Sequence, residues 1–64
     1  MKLGVNLQFL RKLHGNMTQE KLAERMGVSR QTVSKWETGE AVPDVDKLLE
    51  LSRLFSCTLD ALLK

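Results

Sequence analysis

One cysteine cannot form an internal disulfide, and Cys57 has no second Cys or His at metal-ligand spacing. A disulfide framework and a zinc site are thereby excluded, and Cys57 reads as a reduced small residue near a helix end. No apolar run exceeds three residues, against the roughly 20 needed to cross a bilayer, and the N-terminus has no apolar stretch of signal-peptide kind. The expected compartment is the cytoplasm, with no membrane partner. The single proline and four glycines form no linker or low-complexity stretch, and 64 residues hold one domain at most, residues 1–64. The chain has no Ser beside a His, no Gly-rich phosphate loop after a strand and no carboxylate pair in an evident pocket. No catalytic residue, cofactor or metal is predicted, and the chain reads as a non-enzyme.

Hydrophobic content of 42% against 28% charged residues is that of a folding globular chain. A chain this short hides only about 60% of its unfolded surface, so its core must be local. Net charge is only +2, but it is unevenly spread. Up to Trp36, seven bases (Lys2, Arg11, Lys12, Lys21, Arg25, Arg30, Lys35) face two acids (Glu20, Glu24), which makes +5. From Glu37 onward three bases (Lys47, Arg53, Lys64) face six acids (Glu37, Glu40, Asp44, Asp46, Glu50, Asp60), which makes −3. The first half suits a polyanion and the second does not.

Five helices and no strand are predicted. Over residues 3–13, Leu3, Leu7, Leu10 and Leu13 share one arc with Phe9 at its edge, and Gly15 and Asn16 end the helix. His14, beside that stop, is expected to meet free carbonyls or solvent. Thr18 is a credible N-cap with Glu20 in the first turn, Leu22, Ala23 and Met26 share a face, and Gly27 stops the second helix. Val28 is placed to plug the gap between two crossing helices. Ser29 caps a third helix to about Glu37, in which Val33 and Trp36 point one way and Arg30, Gln31, Ser34 and Lys35 the other. That outer face carries no acid before Glu37, unlike the mixed Glu and Lys of an ordinary surface helix. Trp36 shares the Val33 side and reads as core rather than as a stacking platform. After a connection ending at Pro43, Asp44 caps a fourth helix to about Phe55, lined by Val45, Leu48, Leu51, Ser52 and Phe55. Thr58 caps a short fifth helix with Leu59, Leu62 and Leu63 apolar.

A helix, a Gly-containing turn and a second helix are the parts of a helix-turn-helix. Thr18-Gln19-Glu20-Lys21-Leu22-Ala23, Gly27-Val28-Ser29 and Val33-Ser34-Lys35-Trp36-Glu37 closely resemble the Cro and phage-repressor (XRE) family of helix-turn-helix domains. The likeness extends to the first helix, the Gly39 to Pro43 connection and Thr58-Leu59-Asp60-Ala61-Leu62. It implies an all-α, compact five-helix bundle of lambda-repressor-like kind. Further, it implies that Arg30, Gln31, Ser34 and Lys35 reach base edges, a set that agrees with the face derived from helical geometry. Arg or Lys can pair with guanine, and Gln with adenine. Thr18, Gln19, Ser29, Thr32 and the backbone N–H groups around Thr38 and Gly39 are implied phosphate contacts, with Gln19 also bracing the recognition helix. Arg11 is implied to pair with Glu37 as a structural ion pair. The loop Leu13 to Met17 is a residue longer than is common in the family, which leaves Lys12 as the other choice.

The function so expected is a sequence-specific double-stranded DNA-binding regulator of transcription, a repressor occupying a palindromic operator. One domain offers few contacts, so a homodimer is expected, with Leu54, Leu59, Leu63 and the start of the fourth helix as candidate contacts. The alternative is an antitoxin-type module that binds a toxin partner and autoregulates through DNA.

Overall fold

The computed structural model describes residues 2–64, and every regular element in them is an α-helix. The helices are α1 (Leu3–Leu13), α2 (Gln19–Met26), α3 (Arg30–Thr38), α4 (Val45–Leu54) and α5 (Leu59–Leu63). Four of the five begin in the same way. Thr18, Ser29, Asp44 and Thr58 keep extended backbone, and each side-chain oxygen accepts from the N–H three residues on, at 2.9–3.1 Å. Each such cap satisfies one of the N–H groups that a helix start leaves without a partner. Boundaries differ from the sequence reading by one residue: α3 runs from Arg30 to Thr38 with Ser29 as its cap, and Phe55 lies just past α4.

The turn between α2 and α3 depends on Gly27, which takes φ 68 in the left-handed region open to glycine without a Cβ penalty. Its N–H and that of Val28 return to the carbonyls of Glu24 and Ala23, closing α2 in the manner of a Schellman ending. The Lys47 ammonium also reaches the carbonyl of Met26 at 3.0 Å, which ties α4 to the same helix end.

The core comprises Leu3, Leu7, Leu22, Ala23, Met26, Val33, Trp36, Leu51, Phe55 and Leu62, with Val28 packed against it. Leu7, Leu22, Val33, Leu51 and Leu62 have no exposed surface, each contributing about 1.5–3 kcal/mol by leaving water. Every helix supplies at least one member. The N-terminal end of α1 clasps the C-terminal end of α5. Lys2 N–H donates to the Leu63 carbonyl, and the Asn6 amide donates to those of Leu62 at 2.8 Å and Ala61 at 3.3 Å. A five-residue helix has few internal bonds of its own, so this external capping holds α5 in place.

Some apolar positions fall outside the core, contrary to the sequence reading. Leu13 and Phe9 are each 64% exposed and Val45 is 69% exposed. Leu13 is about 60° from Leu10 and about 120° from Leu7 around the helix, while α3 and α5 cover the opposite flank of α1, where Gly4 and Arg11 lie. Val45, about 120° from fully buried Leu51, is turned to solvent for the same reason. His14 is exposed to solvent, as expected, and its ring also meets Phe55 edge-on, with centroids 5.1 Å apart.

Candidate nucleic-acid interface

The two faces of α3 have opposite surroundings. Val33 and Trp36 are buried against α1 and α2, whereas Arg30, Gln31 and Lys35 are exposed and Ser34 is half-buried beside them. The helix carries one acid, Glu37, and it is buried. Exposed charge on α3 is therefore that of Arg30 and Lys35, both cationic. A helix face of this kind offers donors to base edges and no carboxylate to repel a phosphate backbone.

Glu37 is held by three side-chain bonds. Arg11 Nε donates to one carboxylate oxygen at 2.6 Å and Nη2 to the other at 3.0 Å, a forked geometry that a lysine cannot supply. The Gln19 amide donates to the second oxygen at 2.8 Å. Arg11 Nη1 reaches further, to the Met17 carbonyl at 2.7 Å, so one guanidinium joins α1, the loop before α2 and the end of α3. The side chains are 12% and 3% exposed. Lys12, the other choice for Glu37, is exposed.

Around this braced helix lie the remaining polar groups. Thr18 is exposed at the start of α2, and its hydroxyl oxygen is engaged as a cap, which leaves the O–H hydrogen as a donor. Gln19 is half-buried and spends one of its two N–H groups on Glu37. Ser29 and Thr32 hydroxyls lie 2.9 Å apart in one hydrogen bond, so they act as a pair. Thr38 is the last residue of α3, with its hydroxyl 3.3 Å from both the Lys35 carbonyl and the Glu40 carboxylate. Gly39, in the left-handed region at φ 86, turns the chain out of α3.

Two residues that hold this arrangement escaped the sequence reading. Asn6 fastens α5, and Gly4 lets α1 approach the Glu37 backbone. An isolated glycine inside an apolar-periodic helix was the available signal for Gly4; for Asn6 there was none.

A helix-turn-helix family model matches residues 7–62. The transcriptional activator BcrR of Enterococcus faecalis is 46% identical over 63 residues, 98% of this chain and 30% of that protein. Repressor protein C2 of Salmonella phage P22 is 41% identical over 46 residues, 72% of this chain and 21% of the repressor. The crystal structure of the P22 c2 repressor with a synthetic operator superimposes with a TM-score of 0.87 at 34% identity, over 100% of this chain and 96% of that one. A transcriptional regulator from Listeria innocua gives 0.86 at 35% identity, over 94% of this chain and 55% of that one. The chain spans 30% and 50% of the length of the first two curated relatives it matches. By sequence along most of its length and by the geometry of α2, its turn and α3, the chain belongs to the Cro and phage-repressor (XRE) family of helix-turn-helix proteins.

Proposed function

We propose that the chain is a sequence-specific double-stranded DNA-binding regulator of transcription that reads the major groove with α3. The observation that carries this reading is the division of α3 into a buried side, Val33 and Trp36, and an outer side of Arg30, Gln31, Ser34 and Lys35 free of acids. Likeness to a repressor whose structure was solved on operator DNA supports it. On this reading Arg30, Gln31, Ser34 and Lys35 contact bases. Thr18, Gln19, the Ser29 and Thr32 pair, and the amides at Thr38 and Gly39 contact phosphates, fixing register without reading sequence.

The domain measures 25 × 24 × 19 Å, less than the about 34 Å between half-sites one helical turn apart. Two copies on a palindromic operator are therefore proposed. Leu59, 39% exposed, and the half-buried Leu54 and Leu63 are the proposed contacts between them. The regulatory sense we assign is repression by occupying the operator. Selection of bound molecules from random duplexes, followed by sequencing, tests the reading: a palindromic motif is expected, and recovery of random sequence would contradict it.

A further inference from the structure

Gly4 stands in the first turn of α1 with ordinary helical backbone, so its reason for being glycine is not a left-handed conformation. The reason is space. A Cβ at this position would lie 2.8 Å from the carbonyl carbon of Glu37 and 3.2 Å from its Cα, and closer still to the carbonyl oxygen. All three are backbone atoms, which cannot swing aside as the tip of a side chain can. Here α1 and α3 touch backbone to backbone, at a separation that glycine allows. A glycine inside a helix is unfavourable relative to alanine, and this contact accounts for its use.

Glu37 is thus held from two directions. Arg11 and Gln19 grip the carboxylate through long side chains, which can follow a small displacement. Gly4 meets the backbone, where there is no slack. The next residues in the chain are Thr38 and Gly39, whose amides face the phosphates on the reading given above.

We propose that Gly4 is a positioning residue for DNA binding: by letting α1 reach the Glu37 carbonyl it sets where the C-terminal end of α3, with the Thr38 and Gly39 amides, stands toward the duplex. This rests on the DNA-reading function proposed above. A methyl at position 4 displaces that end of α3. The other end, with Arg30 and Gln31, stays anchored by the Ser29 cap and by Val33. Contacts to phosphate from that end therefore weaken on every sequence, while the base contacts of Arg30 and Gln31 are kept.

The test compares wild type, Gly4→Ala and Gln8→Ala, the last an exposed position on the same helix. Amide shifts of Thr38 and Gly39 are recorded by NMR in the free proteins, and dissociation constants are measured on the selected duplex and on a random duplex at a temperature where circular dichroism shows each protein folded. If Gly4→Ala is unfolded in buffer, the measurements are made in trimethylamine N-oxide, which favours the compact state. For Gly4→Ala the Thr38 and Gly39 amides are expected to shift, and affinity to fall by the same factor on both duplexes, roughly tenfold for one positioning contact. Gln8→Ala is expected to match wild type. Unchanged affinity in folded Gly4→Ala overturns the proposal, as does a loss confined to the selected duplex. A Gly4→Ala chain that stays unfolded in the osmolyte also overturns it, making Gly4 a folding requirement. A wild-type chain that binds neither duplex overturns the DNA reading itself and Gly4's role with it.

Discussion

Arg11 and Glu37, 26 residues apart in the chain, meet in a forked ion pair with its shortest contact at 2.6 Å and almost no access to solvent. The pair closes the seam between α1 and the helix proposed to read DNA. Buried pairs are a weak source of net stability but a strong source of loss when one partner goes. The Gln19 amide and the Met17 carbonyl, which complete the hydrogen bonds of the two groups, are what make burial tolerable here.

Arg11→Ala leaves the Glu37 carboxylate buried with Gln19 as its remaining side-chain donor. The expected cost is about 3–5 kcal/mol, a large part of the about 3–10 kcal/mol that a domain of this size commands. Arg11→Lys keeps the charge but not the fork and should lose part of that amount. Urea unfolding followed by circular dichroism measures both. A loss under about 1 kcal/mol for Arg11→Ala would place the pair among ordinary surface contacts.

Gln19→Ala carries two expected effects, because Gln19 braces Glu37 and is also proposed to reach a phosphate. Stability should fall by about 1.5–3 kcal/mol, the usual size for a hydrogen bond to a charged group. Among molecules still folded, DNA affinity should fall by the same factor on all sequences. Denaturant titration and binding to paired selected and random duplexes separate the two. A sequence-dependent loss would assign Gln19 to base reading instead.

Val33→Asp places a charge at a site with no exposed surface and no partner in reach among the core residues, and should unfold the domain. Leu7→Ala, also fully buried, should cost about 2–5 kcal/mol and leave a cavity. Thermal unfolding distinguishes them: no transition for the first, a lowered one for the second. A folded Val33→Asp protein would mean that α3 packs differently.

Local features were the legible ones. Thr18, Ser29, Asp44 and Thr58 cap helices through atoms three residues away, and the two faces of α3 follow from helical geometry alone. Phe9, Leu13 and Val45 were misplaced because periodicity marks an apolar arc without saying which flank its neighbours cover. The Asn6 bond to the Leu62 carbonyl spans 56 residues, and the Gly4 contact with Glu37 likewise exists only once the helices are assembled. Tertiary approach of this kind leaves little trace in a local pattern.

On a duplex carrying two half-sites, analytical ultracentrifugation should find two protein chains per DNA. Leu59→Glu, at a partly exposed apolar position outside the core, should weaken paired binding while single-site binding stays unchanged. One chain per duplex at micromolar concentration would contradict the dimer.

On the proposed reading, sequence information resides in the outer face of α3. Measuring the affinity of wild type, Arg30→Ala and Gln31→Ala for every single-base variant of the selected half-site tests this. Each substitution is expected to cost about 1–3 kcal/mol on the preferred site and to flatten discrimination at one or two neighbouring base pairs. Losses of equal size on the preferred site, its variants and random DNA would contradict the claim and reduce α3 to a non-specific cationic surface.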